Sequence, residues 1–265
     1  MRKKFTLSKK LILFLATGSI IFTLRAQDYT RPSLDTPPVP VSDDKKFSLG
    51  FSIGPAIPMR DFGSSNVSGS FWDQYSNDST RLQGFAKTGF HFNITASYMF
   101  SNEWGIMLTF GSSSMPFDVN TFSNIIGYPT TINGGYSVNE YLIGPYISLN
   151  LVPKLNLKVS ALVGIVDIAY PELSLAVNDT VTETLDFQGG LNFGYSFGAG
   201  FEYNVSSSIG IFLNVAYTGS TITYGGWTQT YSAPGYYPFT ISHSNDATTM
   251  TTGLLKQTIG IEVKF

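Results

Sequence analysis

The last eleven residues, Leu255 to Phe265, alternate with a period of two. Leu255, Ile259, Ile261, Val263 and Phe265 share one face of an extended strand, and Lys256, Thr258, Gly260, Glu262 and Lys264 share the other, because successive side chains of a strand point to opposite sides. Gln257 is the single polar residue on the apolar face. A segment of about 9–11 residues crosses a bilayer when tilted. One apolar and one ionic face is what a strand needs between lipid and a polar interior. This pattern excludes a helix and asks for partner strands in the same phase.

Composition agrees. Of 265 residues, 13% are charged, about half the share of an ordinary soluble domain. Mean hydropathy is nevertheless only +0.08, and beyond the N-terminus no apolar run reaches the roughly 18 residues of a membrane helix. Residues 1–26 read as an export segment. Arg2, Lys3, Lys4, Lys9 and Lys10 form a basic start, Leu11 to Leu24 an apolar stretch too short to anchor, and Ala26 a small residue before a cut. Cleavage there removes six of the sixteen Lys and Arg and no acid, leaving ten bases against eighteen acids, a net charge of −8. So acidic a chain argues against nucleic-acid binding through phosphate neutralisation. It also lacks Cys, which removes disulfides, thiolate nucleophiles and thiolate metal sites. Residues 27–45, with Pro32, Pro37, Pro38 and Pro40 and no period, read as a disordered, Pro-rich leader.

Seven more alternating segments precede the last. Their apolar faces are Phe47 to Ile53, Phe90 to Phe100, Trp104 to Phe110, Tyr141 to Leu151, Leu155 to Ile165, Leu191 to Tyr203 and Ile209 to Tyr217, each in steps of two. Pro55 and Pro58 are expected to end the first. Three connections are three residues long: Ser101 to Glu103, Val152 to Lys154 and Ser206 to Ser208. Residues opposed across such a loop must share a face; Phe100 and Trp104, Leu151 and Leu155, and Val205 and Ile209 all do. The other four connections are long, about 58–87, 112–137, 167–188 and 219–253. Phe47, Tyr98, Phe100, Trp104, Phe201, Tyr203 and Phe265 cluster at the short-turn ends, and Phe90, Phe92, Phe110, Tyr141, Phe193 and Tyr217 near the long-loop ends. These are two girdles around an aliphatic band.

On these residues the chain, from about Lys46 to Phe265, resembles the outer-membrane β-barrel domain family, the small porin-like group that includes OmpA/OmpX-type eight-stranded barrels. Ile259, Ile261, Val263 and Phe265 resemble the signal that family presents to the barrel-assembly machinery. The segment Gly54-Pro55-Ala56-Ile57-Pro58 to Asp61-Phe62 is similar too. The resemblance implies residence in the outer membrane, contact with its lipids, and no cofactor. It carries no periplasmic peptidoglycan-binding domain and no loop motif of a named member.

The inner face carries Glu140, Lys158, Glu202, Lys256 and Glu262, with His91 as a further inward group. An eight-stranded barrel is filled by its side chains, so these charges must pair or stay hydrated. By depth, Lys158 pairs with Glu202, Glu262 can join them, and Glu140 and Lys256 lie near the other end. A structural plug is one reading and a selectivity site in a narrow channel the other. The inward glycines and Leu142, Tyr146, Leu162 and Phe212 leave open either a thin path or an apolar constriction. His91 and His243, the latter beside Ser242, Ser244 and Asp246, are the only histidines and show no triad spacing. Asp167, Glu172, Asp179, Glu183 and Asp186 form an acidic loop that could hold divalent cations or merely be solvated. Tyr224, Trp227, Tyr231, Tyr236, Tyr237 and Phe239 of the last loop form either an adhesive surface or a self-packed loop.

The sequence thus predicts an all-β, eight-stranded antiparallel up-and-down transmembrane barrel with short periplasmic turns and long extracellular loops. It reads as a monomer without metal, cofactor or catalytic residues, with a structural or surface-interaction role. A narrow passive channel is the alternative, and a lipid-modifying enzyme the third.

Overall fold

The computed structural model describes residues 46–73, 81–176, 181–244 and 246–265. The predicted export segment, the Pro-rich leader and Asp179 lie outside these residues.

Eight long strands build a closed barrel: β1 (Phe47–Arg60), β2 (Gly89–Met99), β3 (Trp104–Met115), β5 (Tyr136–Val152), β6 (Leu155–Ala169), β9 (Leu191–Asn204), β10 (Ile209–Tyr224) and β13 (Thr248–Lys264). They close in the order β1-β13-β10-β9-β6-β5-β3-β2, each antiparallel to its neighbours. The register follows the short turns, with Tyr98 opposite Ile106, Leu149 opposite Leu157 and Tyr203 opposite Ile211. Strand β13 closes on β1, with Ser48 opposite Lys264, Ile53 opposite Ile259 and Ile57 opposite Leu255.

Two local expectations are corrected. Pro55 and Pro58 do not end β1, which continues to Arg60. Pro55 lacks an N–H, and the ladder to β13 gives Gly54 and Pro55 no partner before resuming at Ala56 and Lys256. Phe90 of β2 still faces Pro55 and holds the strand from the other side. Between β5 and β6 the turn is only Pro153-Lys154: Val152 lies opposite Leu155, and Leu151 is left over as a bulge. Pro153 fixes a negative φ and Lys154 takes φ 73°, the signs that a type II turn requires.

The strands also run further into the long connections than their apolar faces indicate, and their polarity inverts as they do so. Below Tyr141 and Tyr217 the outward residues are apolar apart from Gln257. Above them the outward residues are Ser114, Ser137, Thr221 and Thr223, while Met115, Tyr136, Val138, Ile168, Ile222 and Met250 turn inward and are buried. The wall leaves lipid there, and the barrel becomes water-soluble in pattern, with its core inside. Phe62, Leu82 and Phe85 from the connection after β1 pack into that core. So does Phe122 of helix α1 (Val119–Ile126), which Asp118 caps by accepting from Thr121 N at 3.3 Å and which Gly127 ends at φ 81°.

Over this core lies a second sheet, in the order β12-β11-β8-β7-β4. It comprises β4 (Thr130–Asn133), β7 (Glu172–Ala176), β8 (Thr182–Phe187), β11 (Trp227–Ser232) and β12 (Phe239–His243). Leu173, Leu175, Leu185 and Phe187 form its buried face.

Candidate functional site

The lumen divides into three levels. At the short-turn end, Lys158 of β6 reaches across to two carboxylates, Glu202 of β9 at 2.9 Å and Glu262 of β13 at 2.6 Å. Lys264, which the sequence reading left out of the network, lies 2.6 Å from the other oxygen of Glu202 and donates to Asn204 Oδ1 at 2.6 Å. Two ammoniums therefore meet two carboxylates, and the cluster is neutral. Near the girdle of the long-loop end, Lys256 pairs with the fully buried Glu140, which also accepts from Thr218 Oγ1 at 3.4 Å. This pair is neutral too.

Between the two clusters lies a cavity of about 80 Å³ with a mixed wall, in which His91, Asn93, Thr109, Ser196, Asn214 and Thr258 stand among apolar side chains such as Met107 and Phe201. Lys158 and Glu262 bound it on one side and Lys256 on the other. His91 Nδ1 lies 2.8 Å from Ser113 Oγ, and the side chain is buried. Leu142, Leu162 and Phe212 of the expected apolar constriction also line the cavity, with Gly200 beside them, while Tyr146 lies outside its wall.

The third level is the aromatic cap. Phe117, Phe122, Tyr136, Tyr170, Tyr224 and Phe187 contact one another at 4.9–6.2 Å, edge-on or tilted except for the stacked Phe117–Tyr136 pair, and edge-on pairs are a geometry that ring quadrupoles favour. Their polar atoms fasten the inserted segment: Tyr170 Oη and Trp72 Nε1 donate to the Gln83 carbonyl at 3.1 Å each, and Tyr136 Oη donates to that of Gly84. Deprotonating Tyr136 in this dry setting is costly, and burial pushes its phenol well above the usual range.

The histidines and loops separate in the same way. His243 Nδ1 lies 3.0 Å from Asp246 Oδ2, and its ring stacks on Trp227 with centroids 3.7 Å apart. Ser242 and Ser244 make no hydrogen bond to that ring among the described residues. Of the acidic loop, Asp167 is in β6, Glu172 in β7, and Glu183 and Asp186 in β8. Glu183 accepts from Gln229 Nε2 at 2.5 Å. Among the described residues no three His, Cys, Asp or Glu gather as metal ligands. The aromatics of the last loop split: Tyr224 and Trp227 join the cap, while Tyr236 and Tyr237 are 80% and 98% exposed at the turn between β11 and β12, with Phe239 beside them at 64%. The buried cap is the part that sequence reasoning missed. Its signal was the continuation of the inward phase beyond the girdles, through Met115, Val138, Ile168 and Ile222.

A family model described as outer membrane protein beta-barrel domain matches residues 38–244. Among solved structures, the chain is similar to the attachment invasion locus protein Ail of Yersinia pestis at 15% identity, covering 83% of this chain and 99% of that one with a TM-score of 0.40. Neisserial surface protein A matches at 11% identity, 83% and 97% coverage and a TM-score of 0.45. The outer membrane protease OmpT of Escherichia coli matches at 12% identity, 84% and 98% coverage and a TM-score of 0.46. No curated protein sequence matches the chain.

Proposed function

Because the chain belongs to the outer membrane protein beta-barrel domain family, we propose that it is a closed, non-conducting barrel of the outer membrane whose role is carried by the folded cap it displays outside the cell. The observation that carries this is the cap core. Fully buried Phe62, Leu82, Phe122, Tyr136 and Tyr224 fill the long-loop mouth of the lumen, and a filled mouth excludes the hydrated path that an ion needs. The neutral charge clusters support the same reading, since these lumen charges are spent on one another and leave no ring of one sign to select ions.

The surface role rests on the turn between β11 and β12. Tyr236, Tyr237 and Phe239 stand in solvent with Pro234 and Pro238 beside them, and no charged residue lies between β10 and Asp246. Exposed aromatics of low side-chain entropy are the groups that anchor protein and sugar ligands, so an extracellular ligand would dock there. A non-enzymatic reading is supported by His91, sealed inside the barrel, and by His243, whose ring is held by Trp227 and Asp246. Closure of β1 on β13 leaves the barrel without a strand edge, which suits a monomer.

The test is conductance. The purified protein in planar bilayers should give no unitary current steps, and steps that persist across preparations would favour the narrow-channel alternative. Substituting Trp72→Ala and Phe122→Ala together, which empties the cap core, should raise the frequency of current steps above that of the parent.

A further inference from the structure

We propose that a cleft on the outer wall of the barrel, formed by Arg60, Arg81, Thr249 and Thr251, binds the phosphorylated headgroup of an anionic glycolipid in the outer leaflet. The inference starts from Arg60. Along β1 the even-numbered residues Ser48, Ser52 and Ala56 face inward, and by parity Arg60 would follow them into the apolar cap. Instead its backbone adopts φ 61°, a left-handed conformation that costs a side-chain-bearing residue energy. Its guanidinium emerges on the outside, 5.9 Å from the ring centroid of Tyr217. Tyr217 belongs to the girdle at the long-loop end, and its hydroxyl lies against the outward Gly253, where an added Cβ would sit 2.7 Å from it. Glycine at 253 thus makes room for the phenol that supports the arginine.

The cleft beside it is shallow and largely open to the outside, and is lined by Arg60, Asp61, Arg81, Thr249 and Thr251. Its carboxylate is already engaged: Asp61 accepts from Arg81 and from Thr251 N at 3.4 Å. Arg60 has no ion-pair partner among the described residues. Arg60 thus brings to the cleft a guanidinium that no described carboxylate pairs, with the Thr249 and Thr251 side chains alongside as hydroxyl donors. Arginine forks match phosphate oxygens. The height selects the source of that phosphate. Arg60 lies opposite Thr252, three rungs above the Ile57–Leu255 pair, so the cleft opens just above the aromatic girdle, where lipid headgroups begin. The site is independent of the cap's surface role.

The experiment uses full-length protein purified from membranes in detergent, with lipid adducts read by native mass spectrometry. Three probes are titrated: a diphosphoryl lipid A, the same glycolipid with both phosphates removed, and inorganic phosphate. The variant is Arg60→Gly, which relieves the φ and therefore should keep the heat-modifiable gel migration of a folded barrel. The parent should half-saturate with the phosphorylated glycolipid at about tenfold lower concentration than the variant, as expected for losing a charge-assisted contact, while both bind the dephosphorylated lipid alike. Equal binding of the phosphorylated lipid by parent and variant would overturn the proposal. So would indifference of the parent to the phosphates, or an inorganic phosphate that binds as tightly as the lipid and displaces it.

Discussion

Lys158 shows how a single residue organises the short-turn half of the lumen. Its ammonium is shared between Glu202 and Glu262 and lies 5.9 Å from the Tyr146 ring. Removing it strands Glu262 without a cation and leaves Glu202 to Lys264 alone. Breaking a buried ion pair from one side costs about 3–5 kcal/mol, because the remaining charge stays desolvated. Lys158→Met is therefore expected to lower the urea midpoint of the folded barrel by a loss in that range. Lys158→Met combined with Glu262→Gln should recover part of it. A single variant as stable as the parent would mean that the pairs are solvated. Alternation alone put Lys158, Glu202 and Glu262 on the inner face, and their depths along the strands suggested the meeting. Lys264 was harder to see, since it sits on the last rung of β13, where reach to Glu202 depends on how β13, β10 and β9 are staggered. Arg60 was illegible for a different reason: the parity rule assumes negative φ, and this residue breaks it.

At the scale of elements, the cap depends on one inserted segment held to the top of β13. Phe62 N donates to the Thr251 carbonyl at 3.3 Å and Leu82 N to that of Thr249 at 2.6 Å, and Asp61 with Arg81 ties the two ends of the insertion. Burial by itself would raise the Asp61 carboxyl, but the Arg81 hydrogen bond and charge, helped by Thr251 N–H, win and hold it below its ordinary 3.8. A carboxyl depressed by folding contributes stability that is complete above the unfolded value and is lost as pH falls through the folded one. The insertion is thus expected to loosen only below about pH 3.8. Trp72, buried and bonded to Gln83, reports it: its fluorescence should shift toward that of exposed indole in that acid range, and Asp61→Asn should show the loosened signal already at neutral pH. A pH-independent signal in both proteins would remove the ion pair from the account. These elements were only half legible. The long connections looked like loops because apolar periodicity was read on the lipid side alone. The inversion of polarity at Tyr141 and Tyr217, where Val138, Ile168 and Ile222 take over as the apolar phase, marks where the wall leaves the membrane. The pairing of β4, β7, β8, β11 and β12 into a second sheet could not be read from segments of four to six residues, since such short strands carry no decisive period.

For the whole molecule, closure is the property that everything else presupposes. The terminal strand supplies it: sixteen rungs join β13 to β10, from Tyr224 with Thr248 to Ile209 with Val263, while its other edge meets β1. The last residue adds a ladder bond, Phe265 N to Phe47 O at 2.8 Å, and a ring contact with Phe47 at 5.9 Å. Those contacts are few beside the rest of the seam. Deleting Phe265 should therefore cost the finished barrel only about 1–2 kcal/mol, one ladder bond and one aromatic pair. If Ile259, Ile261, Val263 and Phe265 together form the signal read by the assembly machinery, the cellular cost is larger than that. The two roles separate in a paired measurement. The truncated chain refolded in detergent should still show heat-modifiable migration, while its amount in the outer membrane of expressing cells falls well below the parent's. Normal membrane levels would strip Phe265 of the assembly role. Failure to refold in detergent would make its contribution to the seam far greater than its contacts account for.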